Sequence, residues 1–298
     1  MAEAVATLVR PAYPRPRDVL ELLKPVTWFP PMWAFMCGVV SSGVSLSERW
    51  PFLVAGMLLA GPIVCGTSQA VNDWFDREVD AINEPNRPIP SGRIPGRWGL
   101  YIAITGSLVS LAVGALIGPW VLVATVAGLA SGWAYSAPPF RLKQSGWWGP
   151  LACAFSYEGL AWFTGASAMT GTLPQVPVLI AILLYSLGAF GIMTLNDFKA
   201  VEGDKAMGLA SLPVTLGVEN AARLACVVMI VPQVAVAALL FEWGRDWTGL
   251  VIIVVIGLQL ACMQRLVQNP RKYAPWYNGT GVTLYVLGML ATAFGIAP

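Results

Sequence analysis

Two short phrases in this chain gather groups suited to hard metal ions. Asn72-Asp73-Trp74 runs on to Asp76, Glu78 and Asp80, and Asn196-Asp197-Phe198 runs on to Glu202 and Asp204. Both read Asn-Asp-aromatic-x-x-x-Glu-x-Asp, they lie 124 residues apart, and each directly follows a long apolar stretch. An ionised carboxylate beside hydrocarbon is costly unless it is compensated. On a helix turning about 100° per residue, Asp73, Asp76 and Asp80 fall within about 60° of one another, with Asn72 at the edge of that face and Glu78 nearly opposite. Asp197 and Asp204 share a face in the second phrase, Glu202 points away, and Ala200 stands where the first phrase has Asp76. Carboxylates three apart on a helix sit about 5–6 Å from one another, and each like-charge pair costs about 3 kcal/mol at an effective dielectric near ~20. Bound Mg²⁺ offsets such repulsion, and it favours a few carboxylates together with phosphate oxygens and water. The expectation is a cation site holding a phosphorylated ligand, the second cluster being the weaker half unless Glu202 or Asn196 turns in.

Basic residues supply the other half of a diphosphate site. The proline-stiffened segment Asn83-Glu84-Pro85-Asn86-Arg87-Pro88 delivers Arg87, and Tyr135-Ser136-Ala137-Pro138-Pro139-Phe140-Arg141-Leu142-Lys143 delivers Arg141 and Lys143. Arg grips phosphate oxygens bidentately and Lys acts as a point charge. Arg141 and Lys143 equally suit a purely topology-setting role, and that role is the expectation for Arg93 and Arg97. Glu158 lies near the middle of an apolar stretch, where an acid is a functional candidate by position. It suits either a hydrogen bond to an acceptor substrate or a packing link between helices.

The elements that must position these groups are membrane helices. Of 298 residues, 56% are hydrophobic and 11% charged, against about 25% charged in soluble domains. Nine stretches suit spans of about 20 residues: 28–45, 51–71, 99–117, 119–136, 149–170, 176–195, 223–242, 247–266 and 278–296. The expected fold is an all-α polytopic bundle of nine transmembrane helices, one membrane domain over 1–298. Residues 1–27 form a cytoplasmic arm, and 72–98 and 196–222 form cytoplasmic active-site loops. Alternating the connections puts every Lys and Arg on one side except Arg49 and Arg245. The positive-inside rule then places the N-terminus and both acid phrases in the cytoplasm and the C-terminus outside, in the periplasm. Histidine is absent, which removes His bases and the usual zinc and non-haem iron sites. The five cysteines are scattered through apolar sequence without a CxxC and predict no disulfide. A net charge of +2 gives no argument for nucleic acid.

The two Asn-Asp boxes and the YSxPP-basic segment resemble the UbiA superfamily of intramembrane prenyltransferases over nearly the whole chain. The phrases NDWFDREVDAINEPNRPIPSGRI, YSAPPFRLKQSGWWGP and LNDFKAVEGDKAMGLASLPVTLG, in that order, are similar to its chlorophyll and bacteriochlorophyll synthase branch. The resemblance implies transfer of a C20 prenyl group, geranylgeranyl or phytyl, from its diphosphate to the propionate carboxylate of a (bacterio)chlorophyllide. It implies Mg²⁺ held by Asn72, Asp73, Asp76 and Asp80 and by Asn196, Asp197 and Asp204. Asp73, Asp76, Asp197 and Asp204 are then the catalytic set, Arg87, Arg141, Lys143 and Tyr135 bind diphosphate, and Glu158 takes the acceptor. It also implies a bacterial inner or intracytoplasmic membrane, with the lipid bilayer and photosynthetic assembly proteins as surroundings. An acceptor carboxylate is already anionic, so the reaction suits a chain without His. The competing readings are a family member acting on a quinone precursor or haem, and a pigment carrier or transporter. Against a transporter, coupling sites usually sit near the midplane, and these acids sit at helix ends.

Overall fold

The computed structural model describes residues 13–206 and 208–298. Residues 1–12 of the expected N-terminal arm, with Arg10, and Met207 of the second loop lie outside the described residues. Among the described residues the fold is all-helical apart from a single β-bridge, Ser145 to Ala210. Six helices among the described residues are long and apolar enough to cross a membrane: Leu46–Asn83, Trp98–Ile117, Val176–Lys199, Val218–Glu242, Asp246–Gln268 and Pro270–Ile296. Phe29–Ser41 is a shorter apolar helix.

The first acid phrase is helical, as its spacing expects, but its helix runs past the expected boundary. The stretch expected to end at residue 71 belongs to one 38-residue helix, Leu46–Asn83. The loop expected over 72–98 therefore begins after Asn83, and all three box aspartates lie on helix. Basic side chains against Asp73, Asp76 and Asp80 remove the repulsion that would otherwise unwind them. The middle of this helix, Leu59–Cys65, is π-helical and holds Pro62. A second π-helical segment, Phe155–Leu160, interrupts the helical run 148–170. The second acid phrase is less regular. Asn196–Lys199 is a 3-10 turn, Ala200 leaves helical geometry, and Val201–Ala206 is a short helix. Leu212–Thr215 follows, and the next long helix starts at Val218, so the loop expected over 196–222 is partly helical.

Helices Phe29–Ser41 and Ala161–Thr170 cross closely at Gly38 and Gly165. A Cβ on Gly38 would lie 2.1 Å from the Trp162 carbonyl oxygen, and one on Gly165 would lie 2.0 Å from that of Phe35. Both obstacles are backbone, so a side chain at either glycine forces the helices apart. The largest buried apolar cluster fills the half built from 176–199 and 218–296, around Tyr185, Met229, Tyr277 and Tyr285. All five cysteines are free.

The N-terminal segment is strapped down. Pro16–Leu22 is a short helix whose Leu22 packs with Ala70, Val71, Ile94 and Ala103. Arg93, expected only to set topology, donates to the buried Asp18 at 2.7 Å and to Glu21 Oε1 at 2.7 Å. Hydrogen bonding to Glu21 raises the Arg93 guanidinium above its ordinary range, and the same bond lowers the Glu21 carboxyl. Arg93→Ala leaves the buried Asp18 with only the longer contact to Arg17, at 3.8 Å. The expected cost is about 1–3 kcal/mol, seen as faster proteolytic nicking around residues 13–27 with the rest of the chain intact; nicking at the wild-type rate would contradict the strap.

Candidate active site

The helix face that carries the first box begins deeper in the bundle. Cys65, Gln69, Asn72, Asp76 and Asp80 follow one another at intervals of four, three, four and four residues, so they form one stripe. Asp73 lies beside it, 1% exposed. Each carboxylate of this box meets a cation. Lys24 Nζ lies 2.6 Å from Asp73 Oδ1, and Arg87 Nη1 lies 2.8 Å from Asp80 Oδ2 and 3.6 Å from Asp73. Lys143 hydrogen-bonds Asp76, and Arg141 Nη2 lies 3.7 Å from it. Arg87 also reaches Glu84 at 3.2 Å. Burial alone would lower the Arg87 guanidinium, but Asp73 and Asp80 outweigh it and hold it above its ordinary range. Burial pushes the Lys143 ammonium below its usual range against the opposing bond to Asp76.

Lys24 was not foreseen as part of the site; its only sequence signal is a Lys-Pro pair ahead of the first apolar stretch. The backbone marks it. Lys24 and Arg141, with φ of 47° and 39°, are the non-glycine residues with positive φ among the described residues. Both left-handed residues present a basic side chain to the first box, and strain of this kind concentrates at functional sites.

The second box comes to the same place. Asp76, Asp80, Asn196, Asp197 and Asp204 line one cavity of about 980 Å³ together with Arg87, Arg141, Lys143 and Tyr135. Asp197 and Asp204 form no ion pair among the described residues. Glu202 turns outward as expected and meets Arg271 at 3.0 Å, with 76% of its side chain exposed; Glu78 is 85% exposed. Asp73 does not line the cavity but sits behind Lys24 and Arg87. The loops are clasped across the site: Gly146 N donates to the Ala210 carbonyl at 2.9 Å, fixing the Lys143 segment to the chain that follows the second box. A Cβ on Gly146 would lie 2.6 Å from that same carbonyl oxygen, so this close approach requires glycine.

A second cavity of about 470 Å³ leads inward, mostly apolar, between Ala60, Val64, Gly128, Leu160 and Ile192. Asn72, Tyr135, Cys153, Met193 and Asn196 border both cavities and form the waist between them. Asn72 Nδ2 donates to Ser136 Oγ at 3.2 Å. Glu158, expected to take an acceptor, lines neither cavity. The π-helical segment turns Ser156 and Tyr157 into the inner cavity and leaves Glu158 4% exposed on another face, its Oε2 without a partner among the described residues.

The donor set fits a hard cation bound jointly with phosphate. It is made of oxygens, and two buried polar atoms here, Asp73 Oδ2 and Arg141 Nε, have no partner among the described residues. No three acidic or thiol side chains among the described residues converge tightly enough to hold an ion unaided. The reason is visible in the pairing: Lys24, Arg87 and Lys143 draw the first-box carboxylates to separate partners. Mg²⁺ takes only one or two carboxylates when phosphate supplies the rest.

The UbiA prenyltransferase family model matches residues 27–294. The chain is 57% identical to the bacteriochlorophyll synthase 33 kDa chain of Cereibacter sphaeroides, over 95% of this chain and 94% of that one. It is 39% identical to the chloroplastic chlorophyll synthase of Oryza sativa subsp. japonica, over 92% of this chain and 75% of that one. Among solved structures, a UbiA homolog from Archaeoglobus fulgidus bound to GPP and Mg²⁺ superposes with a TM-score of 0.71 at 21% identity, covering 94% of this chain and all of that chain (100%). A digeranylgeranylglyceryl phosphate synthase superposes with a TM-score of 0.74 at 22% identity, covering 94% and 97%.

Proposed function

The chain belongs to the UbiA prenyltransferase family, and on that premise we propose how its residues divide the reaction. It is a multi-pass membrane prenyltransferase with (bacterio)chlorophyll synthase function. The reaction moves a C20 prenyl group from its diphosphate to the propionate carboxylate of a (bacterio)chlorophyllide. The observation that carries the assignment of residues is the meeting of both acid boxes with Arg87, Arg141 and Lys143 in one cavity.

Asn72, Asp73, Asp76 and Asp80 on one side, and Asn196, Asp197 and Asp204 on the other, would hold Mg²⁺ together with the diphosphate. Bound there, the ion would supply positive charge against that which builds on the departing diphosphate. Arg87, Arg141 and Lys143 contact its oxygens directly, and Tyr135 closes the waist beside them. Lys24 guards Asp73 until substrate arrives. The hydrocarbon chain lies in the inner cavity, whose apolar walls keep water from the allylic cation. One carboxylate oxygen of the acceptor bonds to the first prenyl carbon. The bond from that carbon to diphosphate breaks, and its electron pair leaves with the diphosphate. No proton has to move, in keeping with a chain that lacks His.

Nine crossings follow if Phe29–Ser41, Pro119–Ser136 and the composite 148–170 join the six long helices. The distribution of basic residues then supports the acid boxes and N-terminus on the cytoplasmic side and the C-terminus on the periplasmic side, and the similarity to bacterial synthases supports a bacterial inner or intracytoplasmic membrane. The test is an acceptor panel with labelled geranylgeranyl diphosphate, with and without Mg²⁺. Ester product with a chlorophyllide and none with quinone precursors or haem is expected. Product with a quinone precursor alone would remove the acceptor assignment, and no diphosphate release at all would favour a carrier.

A further inference from the structure

The inner cavity carries a polar cluster for which a hydrocarbon chain has no use. Gln69 Nε2 lies 3.1 Å from the Tyr157 hydroxyl, and Cys65 Sγ lies 3.5 Å from the same oxygen and 3.4 Å from Thr27 Oγ1. Gln69, Tyr157, Cys65 and Thr27 all line the cavity wall. If Gln69 donates through its amide nitrogen, the Tyr157 oxygen is an acceptor and its own O–H is left for the cavity. If the amide is turned, Tyr157 donates to it and the Gln69 N–H groups are left instead. Either arrangement presents a neutral donor to the space beyond.

Charge sharpens the reading. Among the described residues no Lys, Arg, Asp or Glu lines this cavity. A carboxylate entering it meets no like charge on the wall, and its compensation there comes from neutral hydrogen-bond donors. Position completes it. Gln69 lies on the same stripe as Asn72, less than one turn deeper, which is about 4.5 Å along the axis. A prenyl diphosphate anchored by the boxes, with its chain through the waist, brings its first carbon near this depth.

Resting on the esterifying prenyltransferase reading, we propose that Gln69 and Tyr157 form the receptor for the acceptor's carboxylate. They orient the nucleophilic oxygen with neutral hydrogen bonds and leave it unprotonated. The carboxylate gains a bond to carbon as the diphosphate leaves with its electron pair, and the tyrosine and amide keep their protons. Cys65, itself in contact with Thr27, donates to the tyrosine oxygen and holds it in place.

The experiment compares Tyr157→Phe, Gln69→Leu and the double variant with wild type, using a chlorophyllide and geranylgeranyl diphosphate. Hydrogen bonds to a charged group predict a rise in acceptor KM of about ten- to a hundredfold in each variant. The KM for geranylgeranyl diphosphate and its Mg²⁺-dependent binding stay at wild-type values, which also shows that the variants are folded. An unchanged acceptor KM, or a loss confined to kcat or to diphosphate binding, overturns the receptor. Absence of ester from the wild-type enzyme would instead overturn the underlying reaction, so the two failures are separable.

Discussion

Asp197→Asn is expected to lower turnover by about a hundred- to a thousandfold while leaving membrane insertion and thermal stability in detergent at wild-type levels. The separation of effects comes from the pairing pattern. Asp197 lines the outer cavity and makes no ion pair among the described residues, so neutralising it leaves no cation stranded. Asp73→Asn should cost activity by a similar factor but differ in kind. Asp73 is buried, with Lys24 at 2.6 Å and Arg87 at 3.6 Å, and losing its charge loosens the N-terminal segment as well. Steady-state turnover beside a thermal melt in detergent checks both variants. Wild-type turnover in Asp197→Asn would remove the second box from the chemistry.

Chelation is the second large effect. Five aspartates, Asp73, Asp76, Asp80, Asp197 and Asp204, share the site with Lys24, Arg87, Arg141 and Lys143. Glu78 and Glu84 line the same cavity, so carboxylates outnumber cations here by seven to four, and a diphosphate ester adds several negative charges that these cations cannot absorb. Divalent cations are expected to enter with the substrate. Stripping metal with EDTA should bring turnover to background, a drop of at least about a hundredfold, and added Mg²⁺ should restore it. The oxygen-only donor set predicts that a thiophilic ion such as Cd²⁺ restores less. Undiminished turnover in a preparation shown to be metal-free would defeat the cation site.

The acid boxes were legible in the sequence because carboxylates beside hydrocarbon stand out, and helical spacing put Asp73, Asp76 and Asp80 on one side. Glu202 points outward as that spacing expects, whereas Glu78, though exposed, borders the outer cavity. The helix that carries the first box ran past the expected boundary because hydropathy falls where the aspartates begin, whereas helical structure depends on their pairing with Lys24, Arg87 and Lys143. Lys24 is not legible in the sequence because its role depends on a left-handed backbone turn and a partner 49 residues away. In sequence Arg93 looks like a topology signal alone, because its partners, Asp18 and Glu21, lie in the arm more than 70 residues earlier. The placement of Glu158 outside both cavities depends on a π-helical turn that no spacing rule for ordinary helices foresees.

The π-helical stretch Leu59–Cys65 has a consequence for how this helix tolerates change in length. It sits between the part of the helix that starts at Leu46 and the part that bears Asn72 through Asp80. A π turn accommodates extra backbone without breaking the rod. It therefore absorbs a change in length that an ordinary turn would pass on. Deleting one residue there would relax the stretch to ordinary helix with little change of phase, whereas the same deletion in the α-helical turns between Gly66 and Asn72 would swing the aspartates by about 100° around the axis. Hydropathy would barely register that second deletion, yet the carboxylates would face lipid or a neighbouring helix instead of the ligand, so the residue count between Gly66 and Asn72 is as constrained as the identity of the acids beyond it.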